Sequence, residues 1–310
     1  MRLSSDALRL ILPVLALAVL LGTVFWLRPN TMGYTGLHLL FKLALPIALA
    51  TLSQMVILAV NDIDLSTGPF VSFVTCVTAT FLVDTPALGV LILLAAIAAY
   101  AALGMIIAWR QLPAIVVTLG MSFVWSGLAV LMLPSPGGTA PAWIAALTGW
   151  RPPLVPFGVL ATVVVMVLAH LLIMRSTLGV LIRGVGGNER SVARAGWSVL
   201  RARGIAYAIA GAFGVLSGMS LTGIMTSGDA NMAVNYTLLS IAGAILGGSE
   251  FMGGKVSPVG AVFGAATLLL ATSVFTFLRV PPDWQIGAQG MILIAVLALR
   301  IALSRVEGGR

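Results

Sequence analysis

The chain contains few charged residues and hardly any cysteine or histidine. Of its 310 residues, 8% are charged, nine are acidic, two are histidines and one is a cysteine, Cys76. A single cysteine excludes an intramolecular disulfide and a cysteine-cluster metal site. The histidines, His38 and His170, lie far apart in sequence and near the ends of apolar segments, so we expect no metal site and no enzymatic cluster. Soluble domains have about a quarter of their residues charged. Because this chain has so few, we expect it to contain no separate soluble domain.

Apolar residues and glycine are abundant instead. The sequence is 60% hydrophobic, its mean hydropathy is +1.10, and it contains 34 glycines. Glycine is common in transmembrane helices, where it lets neighbouring backbones approach closely. The composition predicts an all-α integral membrane protein in which residues 1 to 310 form a single transmembrane domain.

Ten apolar segments are candidate transmembrane helices. The predicted spans are 8 to 27, 43 to 60, 68 to 83, 87 to 109, 114 to 133, 154 to 174, 204 to 223, 237 to 248, 259 to 278 and 286 to 303. The third and eighth are short for a hydrocarbon core of about 30 Å, so we expect broken or re-entrant helices there. The first span follows a basic start, but its apolar run of about 20 residues spans a membrane and no cleavage site follows. It is interpreted as a first transmembrane helix.

The stretch from Arg175 to Arg203 contains six of the 17 basic residues and one acid, Glu189. By the positive-inside rule it lies in the cytoplasm, which places both termini there and the loops 134 to 153 and 224 to 236 outside. Both outer loops are candidate docking surfaces. The basic residues stand at the ends of apolar segments and are not interleaved with aromatics, so the net charge of +8 indicates membrane orientation rather than nucleic-acid binding.

Polar residues interrupt the apolar sequence between Asn61 and Gly68. Asp62 and Asp64 are two of the nine acids, and carboxylates beside membrane spans often mark a translocation path. Alternatively, Asp64 or Ser66 caps a helix that begins near Pro69. The residues alone leave both interpretations open.

A short capped helix is predicted inside the basic stretch. Gly187 and Asn188 precede Glu189, and the following residues are compatible with a helix until Gly196. Arg190 and Arg194 share one face of this helix. It either rests on anionic lipid or docks on a cytoplasmic motor protein.

Two further glycine patterns carry information. Gly243 with Gly247, and Gly260 with Gly264, have the spacing of closely packed helices. Residues 247 to 256 superficially resemble a phosphate-binding loop, but Ser249 stands where the first glycine is required and Val256 stands where serine or threonine is required. We expect no ATP hydrolysis on this chain.

Four sequence blocks together resemble the permease subunits of bacterial ABC importers for ribose, xylose, arabinose and related sugars, a family that also includes branched-chain amino-acid permeases. The blocks are NDIDLSTGPF (61 to 70), LPAIVVTLGMSFVWSGLAVL (112 to 131), LGVLIRGVGGNERSVARAGW (178 to 197) and LLSIAGAILGGSEFMGGKVSPVGAVFGA (238 to 265). They occur in the family's order. Asn61 and Asp62 depart from the pair of glycines that is usual in the first block.

The resemblance implies a sugar permease that works by alternating access in the bacterial inner membrane. The implied partners are a cytoplasmic ABC ATPase, a periplasmic solute-binding protein, a second permease copy or paralogue, and membrane lipid. No cofactor is expected on this chain, and ATP with Mg²⁺ would be bound by the ATPase. Alternative functions are a branched-chain amino-acid or nucleoside ABC permease, or an ion-coupled secondary transporter.

Two sets of residues are candidates for the functional site. The candidates for the solute path are Asn61, Asp62, Asp64, Ser66 and Thr118. The candidates for contact with the ATPase, within a coupling loop at 175 to 203, are Arg183, Gly187, Asn188, Glu189, Arg190 and Arg194.

Overall fold

The computed structural model describes residues 5–251 and 253–281, together with residues 284, 287, 290 and 291. The described residues are predominantly helical. In chain order the helices are α1 (Ser5–Leu27), α2 (Tyr34–Ala59), α3 (Thr67–Ala79), α4 (Phe81–Asp84), α5 (Pro86–Arg110), α6 (Ala114–Met132), α7 (Ala142–Gly149), α8 (Phe157–His170), α9 (Thr177–Arg194), α10 (Val199–Met225), α11 (Tyr236–Leu246) and α12 (Pro258–Phe277). A 3₁₀ turn at Pro29–Met32 precedes α2, and a π-helical turn at Leu171–Arg175 extends α8.

The described part of the chain contains seven helices that are long and apolar enough to cross a membrane. They are Tyr34–Ala59, Thr67–Asp84, Pro86–Arg110, Ala114–Met132, Phe157–Arg175, Val199–Met225 and Pro258–Phe277. The expectation of an all-helical membrane protein is therefore confirmed. Most of the tenth predicted span, 286 to 303, and both chain termini lie outside the described residues, so the count of ten and the cytoplasmic termini stay predictions.

Several predicted boundaries differ from the structure. Helix α2 begins at Tyr34, well before residue 43, and it includes the polar residues His38 and Lys42. His38 is buried and its ring stacks on Tyr34 with the centroids 6.4 Å apart. Polar residues that mark a span end in the sequence are thus accommodated within the helix by packing and by long side chains that reach the interface.

The stretch 175 to 203, for which a coupling loop is predicted, is mostly helical. Ser176 caps α9 by accepting a hydrogen bond from the N–H of Gly179, and Ile182 and Val185 are buried at helical spacing. Asn188 alone has non-helical dihedral angles (φ −157°, ψ 92°) and divides α9 into two segments. The second segment, 188 to 195, is the predicted short capped helix. It is called the docking helix below, after the contact that the sequence predicts for it.

Two glycine pairs hold α11 against α12, as their spacing predicts. A Cβ atom added at Gly260 would overlap the carbonyl oxygen of Gly247, and one added at Gly264 would overlap that of Gly243. Any side chain would push the two backbones apart. The close approach compensates for the shortness of α11, which has 11 residues.

The third predicted span is broken, as expected. Helices α3 and α4 are separated by Thr80, whose dihedral angles (φ −120°, ψ −84°) lie outside the helical region. The break lies beside the loop 134 to 153: the N–H of Thr139 donates to the carbonyl of Ala79 at 3.0 Å. The hydroxyl of Thr80 donates a hydrogen bond to the carbonyl of Cys76.

The loops 134 to 153 and 224 to 236 meet at one end of the helix bundle. Gly137 and Gly228 exchange two backbone hydrogen bonds of 3.0 and 2.8 Å. The first loop also contains α7, and the second turns inward so that the N–H of Ala233 donates to the hydroxyl of Ser72 at 2.9 Å. Only part of each predicted loop is therefore free for a partner. This end is called the Gly228 end.

The opposite end gathers the docking helix, the turn after α2 and the segment before α12. The N–H of Gly254 donates to the carbonyl of Ala59 at 3.0 Å, and a Cβ atom at Gly186 would overlap the same carbonyl. This end is called the Glu189 end. Its predicted cytoplasmic location stays a prediction.

Candidate functional site

The turn from Val60 to Ser66 joins α2 to α3 inside the bundle. Asn61 has a left-handed conformation (φ 65°), which asparagine tolerates better than most residues. The N–H groups of Asn61 and Asp62 donate to the carbonyls of Leu58 and Ile57, which end α2. The side chain of Asn61 is exposed, whereas Asp62 and Asp64 are buried.

Asp64 is held by four hydrogen bonds. Its Oδ1 accepts from the N–H and the hydroxyl of Ser66 at 2.7 and 2.6 Å, and its Oδ2 accepts from Thr67 Oγ1 at 3.0 Å and Tyr100 OH at 2.8 Å. Hydrogen bonds of this kind compensate for the burial of a carboxylate. Asp64 and Ser66 therefore shape the start of α3, which begins at Thr67, two residues before Pro69.

Thr118 fastens α6 to the same turn. Its hydroxyl donates to the carbonyl of Ile63 at 3.2 Å and accepts from the N–H of Leu65 at 3.1 Å. The side chain is fully buried. Asp64, Ser66 and Thr118 thus form one polar knot that fixes the turn, and their hydrogen-bonding capacity is directed at protein atoms.

Asp62 belongs to a second cluster that reaches the docking helix. Its Oδ1 lies 3.9 Å from Arg203 NH1, and its Oδ2 accepts a hydrogen bond from Tyr207 OH at 3.2 Å. Arg203 NH2 lies 3.4 Å from Glu189 Oε2. Burial raises the pKa of the Asp62 carboxyl, while Arg203 and the hydrogen bond from Tyr207 oppose that increase. Arg203 therefore connects the buried turn with the docking helix.

The docking helix presents a basic, exposed face. Asn188 Oδ1 accepts from the N–H of Ser191 at 3.0 Å, which caps the helix, and Gly196 ends it with a left-handed conformation (φ 84°). Arg190 and Arg194 are exposed, and Val192 packs against the core. The predicted short helix and its shared arginine face are confirmed.

A groove of about 690 Å³ lies between the two segments of α9. Gly187, Asn188 and the exposed Trp197 line it. Arg183 lies elsewhere: its guanidinium donates to the carbonyls of Gly179 and Met174 at 3.3 and 3.4 Å. Of the six predicted coupling residues, Arg183 is therefore separate from the docking face.

Aromatic side chains can stack on the ring of a sugar, but Phe70, Tyr100 and Trp125 near the turn pack against one another. Phe70 lies 4.4 Å from Tyr100 and 4.9 Å from Trp125, measured between ring centroids. All three are buried. Phe123, in contrast, is 72% exposed on the outside of α6.

Sequence patterns missed Tyr100, Arg203 and Tyr207 as members of the site. Arg203 was counted only as one of the orienting positive charges. The signal for the tyrosines is weak: each is a polar group inside an apolar span, which must find a partner there. Among the described residues, no three of His, Cys, Asp or Glu lie together as metal ligands.

Residues 37–297 match the family described as "Branched-chain amino acid transport system / permease component". The ribose import permease protein RbsC of Escherichia coli (strain K12) is 28% identical over 294 residues, which is 92% of this chain and 91% of that protein. The autoinducer 2 import system permease protein LsrC of Escherichia coli O9:H4 (strain HS) is 28% identical over 290 residues, which is 89% of this chain and 81% of that protein.

No solved structure gives a significant match. The family match covers most of the chain and includes the buried turn, the docking helix and both glycine pairs. The seven apolar helices agree with a multi-pass protein of the inner membrane. The chain belongs to the family of branched-chain amino acid transport system permease components.

Proposed function

We propose that this chain is the permease subunit of an ATP-driven importer that carries a sugar or sugar-like solute across the inner membrane. The observation that supports this most strongly is the similarity to a ribose import permease over 92% of the chain. The chain has no phosphate-binding loop, since Ser249 stands where the motif requires glycine and Val256 stands where it requires serine or threonine. ATP with Mg²⁺ is therefore bound by a separate ATPase subunit.

The docking helix is the contact with that ATPase. It is capped by Asn188, its arginines Arg190 and Arg194 are exposed, and a groove of about 690 Å³ lies beside it. Interfaces are enriched in arginine and aromatic side chains. The exposed Trp197 and the two arginines fit an acidic and apolar partner surface.

Arg203 transmits movement of the docking helix to the buried turn. It contacts Glu189 on one side and Asp62 on the other. Asp62 and the polar knot around Asp64 belong to the same turn, which leads directly into α3. Arg203 is mostly buried and has few alternative partners, so a displacement of Glu189 should draw Arg203 or the turn with it.

A solute-binding protein docks at the Gly228 end, and a second permease copy completes the translocation path. The free parts of the loops 134 to 153 and 224 to 236 meet at the Gly137 and Gly228 bridge. Only 17% of the span Ala114–Met132 is buried. The exposed side of this span is available to lipid or to a second permease.

Uptake of radiolabelled ribose and other pentoses tests this function. Cells expressing the chain with its ATPase and binding protein are assayed after ATP depletion and, separately, after addition of a proton ionophore. We expect uptake to require ATP and to survive the ionophore. Uptake that survives ATP depletion and is lost with the ionophore would show an ion-coupled transporter instead.

The docking assignment needs its own variant. Arg190→Glu combined with Arg194→Glu should reduce the amount of ATPase that copurifies with the chain. Arg110→Glu is the matched control, because Arg110 is also exposed and belongs to the inner end of α5. Equal losses from the two variants would argue against a specific docking face.

A further inference from the structure

A separate pocket of about 350 Å³ opens at the Glu189 end. It lies between the end of α8, the first segment of α9 and the start of α12. The residues that matter for its chemistry are His170, Arg183, Lys255 and Val259. Asp62, Glu189 and Arg203 do not line it, so it is distinct from the cluster described above.

The pocket contains more positive than negative charge. Lys255 Nζ lies 3.6 Å from Glu250 Oε2 and remains 61% exposed. Arg183 donates to two backbone carbonyls, and within the described residues it pairs with no carboxylate. Glu250 offsets Lys255, and Arg183 has no carboxylate partner in the part of the chain that the structure describes.

The first turn of α12 adds donors of the same sign. Helix N-termini carry free N–H groups and a partial positive charge. Pro258 occupies the first position and has no N–H, and Ser257 Oγ accepts from the N–H of Gly260 at 3.1 Å. Val259, the residue between them, lines the pocket. Its backbone N–H is a donor for a bound oxyanion.

The surroundings of the pocket favour a lipid. His170 ends α8, and Val167 and Val163, which lie on the same face of α8 one and two turns earlier, are 46% and 44% exposed. Exposed valines on a membrane-spanning helix face acyl chains. An oxyanion in the pocket would thus lie directly beside hydrocarbon, which is the arrangement of a phospholipid headgroup. Basic pockets between membrane helices bind anionic headgroups in this way.

We propose that this pocket binds the phosphate of an anionic phospholipid, with Arg183 and Lys255 as its cationic ligands and Val259 as a backbone donor. The acyl chains lie along Val163 and Val167. The site is independent of the imported solute and of the ATPase. It would hold α8, α9 and α12 together at the end where the docking helix lies.

Thermal unfolding of the purified full-length chain tests the site. The protein in neutral detergent is titrated with phosphatidylglycerol, with phosphatidylcholine, and with inorganic phosphate. The same titrations are made on Lys255→Gln and on Arg183→Gln. Arg110→Gln is the control, since Arg110 is exposed at the same end and lies outside the pocket.

We expect phosphatidylglycerol to raise the unfolding temperature of the unchanged protein and phosphatidylcholine to have little effect. Each glutamine variant should need about fivefold more phosphatidylglycerol for half of the effect, because one basic residue near a membrane contributes about a fivefold gain in affinity. Arg110→Gln should behave as the unchanged protein.

Three results would overturn the proposal. Equal protection by both lipids would remove the role of negative charge. Equal weakening by Arg110→Gln would show general surface attraction rather than a pocket. Protection by inorganic phosphate at least equal to that by phosphatidylglycerol would identify a soluble anion as the ligand. Lys255 is mostly exposed, so Lys255→Gln should fold. This variant therefore tests the proposal even if Arg183→Gln fails to fold.

Discussion

Arg203 NH2 lies 3.4 Å from Glu189 Oε2, and this contact joins the docking helix to α10. The arginine side chain is 12% exposed and the glutamate 37% exposed. Arg203 also approaches Asp62, so the pair is one half of a three-residue bridge. The bridge is a polar connection between the docking helix and the buried turn that precedes α3.

Reversing the charge of Glu189 should reduce transport. In Glu189→Lys, two cations face each other and the docking helix is displaced from α10. We expect uptake of a transported pentose to fall by about fivefold or more, the usual range of coupling between sites. Measured uptake with normal membrane insertion checks this. Unchanged uptake in Glu189→Lys would remove the bridge from the mechanism.

Asp62 and Glu189 should act together although they do not touch. Asp62→Asn and Glu189→Gln each leave Arg203 with one carboxylate partner. The destabilisation caused by the second substitution should therefore depend on whether the first is already present. A double-mutant cycle on unfolding in detergent should give a coupling of about 0.5–3 kcal/mol, as found for residues of one network. Strict additivity would mean that Arg203 does not link the two carboxylates.

Asp64 should be more important for stability than for solute contact. Asp64→Asn keeps the size of the side chain but replaces an acceptor oxygen that faces hydroxyl donors. We expect a loss of about 1–3 kcal/mol in unfolding free energy, the cost of leaving buried polar groups unsatisfied. Thermal unfolding of the purified protein measures this. Asp84→Asn, at an exposed position, should have little effect and serves as control.

The packing of α11 against α12 should not tolerate a methyl group. Gly260→Ala would bring a Cβ atom onto the carbonyl of Gly247, and the backbones must separate. We expect a destabilisation of about 1–3 kcal/mol, typical of overpacking. Gly127→Ala in α6 is the matched control, because no atom lies within 4 Å of its added Cβ. Similar losses in both variants would indicate a general effect of replacing glycine in these helices.

Much of the fold follows from local sequence patterns. Nine of the ten predicted spans coincide with described helices to within about five residues, except at the start of α2, where buried His38 continues the helix. Glycine spacing correctly indicated the close packing of α11 and α12. The capped helix at Asn188 also followed from residue order, because caps and glycine ends act within one turn of chain.

The candidate site was less accessible from sequence. Asp64 and Thr118 were candidates for solute contact, and the structure directs their polar atoms at Ser66, Tyr100 and the backbone of the turn. Whether a carboxylate beside a membrane span is free or satisfied depends on what lies opposite it. Spacing along the chain carries no information about those partners.

The sequence by itself determined that this is a helical membrane protein, where most of its helices run and which segment begins with a cap at Asn188. These properties depend on hydropathy and on contacts within a turn or two of helix. Only the tertiary structure decided that Asp62 and Glu189 share Arg203, and that Asp64 is enclosed by Ser66, Thr67 and Tyr100. Those pairings join distant parts of the chain, and they form because a buried charge must find its partner wherever helix packing places one.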